Sequence, residues 1–185
     1  AQFYQDKPLN IVGSSVFGRY PKMSSERTYN MIVSDNWLVP FGGYRVQSQI
    51  NDQGQGRGVY ASYVLDVLIA VIDNDVWRFD SNLTRSVVGR LTTFSGDVYI
   101  AENNAGQVAI SDSVNIYIWD SRTNAFATLT VLELGFVPGY LTFQDGYFIS
   151  PDLSTNQWRL SASNNGLSWP FDAQHVGEIS TKATR

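Results

Sequence analysis

The sequence predicts an all-β fold, a β-propeller of four-stranded blades, of which this chain carries an incomplete part of a larger ring. Three observations lead there. Short segments rich in Val, Ile, Tyr, Phe and Trp follow one another through most of the chain, separated by Asp-Asn, Asp-Ser and Asp-Gly, which tolerate turn geometry. No amphipathic stretch at helical period lasts a dozen residues. And "DNDVWRFDSN" (Asp73 to Asn82) is echoed by "SVNIYIWDSR" (Ser113 to Arg122), with Trp77 and Tyr117 40 residues apart, as are Asp80 and Asp120. A third echo, "TNQWRLSAS", places Trp158 41 residues after Tyr117. A repeat of roughly 40 residues with four strands per unit is the signature of propeller blades. One four-stranded sheet cannot cover both its own faces, so neighbouring blades pack face to face.

Residues 1–28 are polar and broken by Pro8, Gly13, Gly18 and Pro21, which reads as an N-terminal arm or irregular lead-in. The propeller portion is expected over 29–185. It opens with two leading strands within 29–50, "YNMIVSD" and "NWLVPFGGYRVQSQI", where Pro40 and Gly42-Gly43 mark a bend. "NDQGQGRG" (Asn51 to Gly58) reads as a loop. "YVLDVLIAVI" is rich in Val and Ile between loops, so a buried strand is expected rather than a helix.

Twelve strand-like pieces then group into three units, near 58–93, 97–134 and 138–173. The first holds "GVYASYV", "VLIAVIDN", "DVWRFDS" and "SVVGRLTT"; the second "DVYIAENN", "QVAISDS", "NIYIWDS" and "FATLTVLEL". The third holds "GYLTFQD", "GYFISPD", "QWRLSAS" and "LSWPFDA". Trp77, Tyr117 and Trp158 are then expected as equivalent, buried third-strand positions, each of the first two followed by its Asp, Asp80 or Asp120. Closed propellers take 4 to 8 blades, so three units imply strands from the remainder of the chain beyond residue 185. The C-terminal "STKATR" ends at Arg185, compatible with a truncated chain and equally with a natural or designed end.

With 185 residues, 43% of them hydrophobic, the chain can bury a real core. A net charge of −4 argues against sequence-specific nucleic-acid binding, which needs a basic face. No window approaches 18 consecutive apolar residues, so no membrane span is expected, and "AQFYQDKPLN" lacks the basic and apolar stretches of a secretion signal. Cys is absent, which removes thiolate chemistry and leaves the redox compartment open.

The motifs that suggest chemistry each have a simpler reading. "GQGRGV" from Gly54 gives G-x-G-x-G, but a dinucleotide fingerprint needs a helix after it, and strand-like residues follow. Asp73 and Asp75 lack the Gly and terminal Glu of a calcium loop and read as a hairpin turn. His175, the one histidine, has no nucleophile elbow to serve, and "NLT" at Asn82 is a lone glycosylation sequon. "ASNNGLSW" (Ala162 to Trp169) resembles a degenerate Asp box, S-x-D-x-G-x-[ST]-W, of sialidase-type propellers: Gly166, Ser168 and Trp169 fit, while Ala162 and Asn164 replace the Ser and the Asp. Its role there is structural, a hairpin held by side-chain hydrogen bonds over a buried Trp. No catalytic residue, cofactor site or metal site is therefore assigned, and no enzyme activity is expected.

Four segments in order carry a wider resemblance: "RTYNMIV" with "WLVPFGGYR"; "GRGVY…VLIAVIDNDVWRFD"; "VGRLTTFSGDVYIAENNAGQVAISDSVNIYIWD"; and "LTFQDGYFISPDLSTNQWRLSASNNGLSWPFDAQHVGEI". Together they cover most of residues 27 to 179. The chain resembles the N-terminal portion of the packaged-DNA stabilisation proteins, or tail accessory factors, which form the tail hub of short-tailed bacteriophages. The resemblance implies a propeller longer than 185 residues and a virion structural protein of the tail, present in the host cytoplasm during assembly. Its implied role is to seal the portal after DNA packaging and to support genome ejection. The implied partners are portal or head-to-tail adaptor proteins, tail needle or fibre proteins, and other copies in a homo-oligomeric ring. A mildly acidic chain suits a conduit that must not retain phosphates. Two alternatives stand beside it: a carbohydrate-binding or glycoside-cleaving propeller, and a bacterial scaffold propeller that binds peptides.

Overall fold

The computed structural model describes residues 31–34, 37–40, 54–172 and 174–176, the first two stretches and the last by their backbone. The chain divides into two units, Ala1–Ser48 and Gln49–Arg185. In the first, β1 (Met31–Ser34) and β2 (Trp37–Pro40) pair antiparallel, Met31 opposite Pro40. The expected arm at 1–28 lies outside the described residues.

The second unit carries three four-stranded antiparallel sheets, each running through its strands in chain order. Blade 1 is β3 (Gly56–Ser62), β4 (Val67–Ile72), β5 (Asp75–Phe79) and β6 (Arg85–Arg90). Blade 2 is β7 (Tyr99–Glu102), β8 (Gln107–Ser111), β9 (Ile116–Asp120) and β10 (Ala125–Leu129). Blade 3 is β11 (Thr142–Gln144), β12 (Tyr147–Pro151), β13 (Gln157–Leu160) and β14 (Gln174–Val176). The hairpins close on short polar side chains. Asp80 accepts from the Asn82 N–H at 3.0 Å, Asn103 from Ala105 at 3.0 Å, Asp112 from Val114 at 3.0 Å, Asp120 from Arg122 at 3.0 Å and Asp152 from Ser154 at 3.0 Å. Each is an Asx turn, in which the side chain replaces a backbone acceptor two residues before the donor. The β11–β12 hairpin turns instead on Asp145 and Gly146, with φ of 51° and 90°, the left-handed pair that a two-residue Asp-Gly turn requires.

Two apolar layers separate the blades. Between blades 1 and 2 lie Ile69, Val71 and Val76 against Val108, Ile110, Tyr117 and Trp119. Between blades 2 and 3 lie Ala109, Ile116 and Ile118 against Leu134, Phe136, Leu141 and Phe148. Covered on both faces, β8 ("QVAIS") is buried at every position and β9 ("IYIWD") at every position but its last. Their near-continuous apolar reading follows from that.

Three expectations are corrected. "FATLTVLEL" is not one strand: β10 ends at Leu129, and α1 (Val131–Leu134) follows as a single helical turn. Thr130 starts it and Glu133 turns back, its Oε2 accepting from the Thr130 N–H at 2.8 Å and hydroxyl at 2.9 Å, and Gly135 ends it at φ 71°. "LSWPFDA" is not the fourth strand of its blade. That place belongs to β14, whose Gln174 pairs with Arg159 of β13. Finally, the strand of blade 1 begins two residues inside the expected loop, at Gly56, with a bulge between Gly56 and Gly58 that brings Arg57 into the sheet.

Candidate functional site at the blade junctions

The first strands of neighbouring blades approach one another, β3 with β7 and β7 with β11, which marks this edge as the axial side. Here Tyr60, Ile100, Glu102, Asn104, Thr142 and Phe143 line a cavity of about 340 Å³. Glu102 is buried at the end of β7, and its carboxylate reaches into the β3–β4 turn. It accepts from the Ser62 hydroxyl and from the Tyr63 and Val64 N–H groups at 2.9 and 3.4 Å, while Ser62 Oγ accepts from Leu65 N–H at 2.9 Å. A charge out of water is tolerated only with such donors around it. The Tyr60 phenol is pushed up, first by desolvation and then by the Glu102 charge.

At the opposite end of the same junction Arg57 is buried and fully engaged. Its guanidinium donates to the carbonyls of Gly96 (2.7 Å), Asp73 (2.9 Å) and Thr93 (2.6 Å), and to Thr93 Oγ1 (2.8 Å). Thr93 Oγ1 donates on to Asp112 Oδ2 at 2.6 Å, and the Tyr117 hydroxyl donates to the same oxygen at 2.9 Å. Tyr117 Oη also accepts from Thr92 N–H at 2.9 Å and Asn115 Nδ2 at 3.2 Å. Burial pushes the Arg57 guanidinium down, against the attraction of Asp112, and pushes the Tyr117 phenol up. The chain of bonds ties β3, the connection between blades 1 and 2, and the β8–β9 turn into one latch.

Blade 3 is latched by amides. The buried Asn103 Nδ2 donates to Gln107 Oε1 at 3.0 Å and to the Asn164 carbonyl at 3.1 Å, and the Gly166 N–H donates to Gln107 Oε1 at 2.9 Å. The Asp-box-like hairpin thus plugs into blade 2. Ala162 bridges Asn165, whose Oδ1 accepts from Leu167 N–H at 3.1 Å, so Asn165 rather than Asn164 holds the turn. A Cβ at Gly166 would lie 2.7 Å from Ile118 and 2.9 Å from Phe148, so only glycine fits. Trp169 donates from Nε1 to the Gly166 carbonyl at 2.9 Å and packs half-buried on Phe136, ring centroids 5.5 Å apart. Within blade 3, Asp152 gathers Ser154 Oγ (2.6 Å), Ser154 N–H (3.0 Å), Thr155 Oγ1 (3.0 Å) and Val137 N–H (3.3 Å). Burial acts upward on its carboxyl, but these donors outweigh it and hold the group below the ordinary carboxylate value.

Of the repeat positions, Trp77 lies in β5, Tyr117 in β9 and Trp158 in β13, each the third strand of its blade. Trp77 stands beside Val76, which faces blade 2, and so points to the opposite face of blade 1; Tyr117 and Trp119 likewise point from blade 2 back toward blade 1. Tyr117 is wholly buried and Trp77 half-buried. Trp158 is a correction: it is 38% exposed and points away from blade 2, while its neighbour Arg159 is buried opposite Ser150. A spacing of 41 rather than 40 changes parity, and in a strand of period two that reverses the face. Asp80 and Asp120 both close the hairpin after the third strand, Asp120 also pairing with Arg122 at 3.3 Å.

Asp73 and Asp75 do not converge: Asp73 Oδ1 accepts from Gln55 N–H at 2.9 Å, and Asp75 pairs with Arg90 at 2.7 Å. Asn82 is exposed on the β5–β6 turn. His175 lies in β14, and its side chain is outside the described residues. Sequence reasoning missed Arg57, Glu102, Asn103 and Gln107. Each has a partner outside its own sheet (Thr93 for Arg57, Tyr63 for Glu102, Asn164 for Asn103 and Gly166 for Gln107), and such a contact leaves no local pattern.

No family model and no curated protein matches the sequence. Among solved structures the chain is similar to a streptogramin B lyase (11% identity, TM-score 0.50), with 76% of this chain on 47% of that one. It is also similar to U3-55K (13%, TM-score 0.50), with 71% on 42%, and to a chain of a mitotic checkpoint complex (12%, TM-score 0.47), with 82% on 49%. The chain spans about half the length of these structures or less. At such identities the likeness concerns the fold alone, and the fold is all-β, an incomplete β-propeller of four-stranded blades.

Proposed function

We propose that the chain is part of a virion structural protein, a tail hub that seals the portal of a short-tailed bacteriophage after DNA packaging and links it to distal tail parts. The observation that carries this reading is the use made of the buried polar side chains. Arg57, Asp112, Glu102, Asn103 and Gln107 each make a bond that ties their blade to the next blade or to the connection between blades. Such junctions suit a part that holds its shape between neighbours and works through protein–protein contacts. The ordered sequence resemblance over 27 to 179 supplies the identity of those neighbours: portal or adaptor proteins on one side, needle or fibre proteins on the other, with further copies completing a ring. On this reading the protein belongs to the virion tail, passes through the host cytoplasm during assembly, and turns over no substrate.

The test is genetic and physical. Particles assembled without the full-length protein are expected to package DNA and then release it, measured as nuclease-accessible DNA. Adding the purified protein back before release should retain it. DNA retention that is unaffected by the protein's absence overturns the reading. So does turnover of sialoside or simple glycoside reporters by the pure protein that disappears when an acidic residue is mutated.

A further inference from the structure

The 40-residue echo contains one departure that matters. Aligned on Trp77/Tyr117 and Phe79/Trp119, it sets Arg78 against Ile118. Both lie on third strands and face the next blade. Ile118 does what that position demands, buried in the layer between blades 2 and 3. Arg78 pairs with the fully buried Ile69 of β4, so a half-buried arginine stands where blade 2 places a branched apolar side chain. The result is a cavity of about 410 Å³ at the junction of blades 1 and 2, lined rather than filled by Arg78.

The lining has a consistent chemistry. Leu65, Val67 and Val88 give an apolar floor, all packed in or against the core between the blades. Above it stand Arg78, Ser86 and Asn124. Asn124 Oδ1 already accepts from Trp119 Nε1 at 3.0 Å, which leaves the amide NH₂ as its remaining group. Ser121 is also committed, donating to the Gly106 carbonyl at 2.8 Å. The wall therefore offers donors, with no Asp or Glu among the described lining residues. Arg78 is half-buried at this wall, and among the described residues lining the cavity no carboxylate faces it. A carboxylate held by its planar fork is the favoured complement.

We infer that this junction cavity binds a carboxylate carried on a small apolar body, with Arg78 as the anion fork, Asn124 and Ser86 as flanking donors, and Leu65, Val67 and Val88 as the floor. The volume argues for the body as well as the charge, because it is of the size that takes small organic ligands rather than a bare ion. A free short-chain carboxylic acid and an acidic side chain of a polypeptide share this chemistry. The inference does not depend on the tail-hub reading.

The experiment is an NMR titration of the full chain at low ionic strength, following the Trp119 indole N–H and the Asn124 side-chain amide. One arm uses isovalerate against isovaleramide. The other uses a blocked tripeptide with a central glutamate against the same peptide with glutamine. The expected result is saturable shifts at both reporters with the acid of at least one arm and not with its amide, and the arm that responds identifies the source. Arg78→Ile installs the residue blade 2 carries at the equivalent position. It should weaken binding about tenfold or more, as loss of a charge-assisted pair does, and Ser86→Ala should weaken it about two- to fivefold. Arg78→Lys keeps the charge but not the fork, serves if Arg78→Ile fails to fold, and should also weaken binding. No saturable shift in either arm, equal shifts with acid and amide, or unchanged binding in the Arg78 variants would overturn the inference.

Discussion

Tyr117 shows how much one side chain is asked to do. Its ring fills the layer between blades 1 and 2, and its hydroxyl bonds to Asp112, Thr92 and Asn115. Tyr117→Phe keeps the ring and strands the Thr92 N–H, so it should cost about 1–3 kcal/mol in denaturant unfolding. Trp119→Ala should cost about 3–5 kcal/mol. Trp158→Ala, at a half-covered surface, should cost at most about 1.5 kcal/mol. Asp152 sets an acid limit. Its folded carboxyl is held below its unfolded value, so the unfolded chain takes up the proton first as pH falls. The stability it contributes is complete above the ordinary Asp value and disappears as pH falls through the folded one. In thermal melts, the deficit of Asp152→Asn relative to the parent chain should be largest near neutrality and shrink below about pH 4. The aromatic echo was legible because Trp77 and Tyr117 keep an even spacing. Trp158 was misread because one extra residue reverses its face.

The hairpin from Ala162 to Trp169 makes the corresponding point for elements. Its Gly, Ser and Trp spacing was enough to announce a structural turn with a tryptophan against it. That Gly166 would press against Ile118 of the preceding blade was not legible, because a contact between blades leaves no local pattern. Gly166→Ala should cost about 1–3 kcal/mol by overpacking, and circular dichroism melts against the parent chain would detect it. The one-turn helix after β10 did leave a signal, Thr130 and Glu133 spaced as a capping box before Gly135. The β-branched run leading into it outweighed that signal in a strand reading. The latch residues were the least legible: Arg57 finds Thr93 36 residues away, Tyr63 finds Glu102 39 away, and Asn103 finds Asn164 61 away.

For the three-blade unit as a whole, the repeat made the number of blades and their strand order readable, and face-to-face packing followed from physics. The consequence is an unequal stack. Blade 2 is covered on both sides, whereas blades 1 and 3 each turn a partly apolar face away from it, with Val59 68% exposed on one and Tyr147 38% exposed on the other. Protection of backbone amides should follow that order, since slow exchange needs burial on both faces of a sheet. Hydrogen–deuterium exchange, resolved to single strands, measures this directly on β5, β9 and β13, the third strand of each blade. Slowest exchange in β9, together with its neighbour β8, and faster exchange in β5 and β13 is the expected result. Protection in β5 or β13 equal to or greater than that in β9 would contradict a central blade clamped between two half-covered ones.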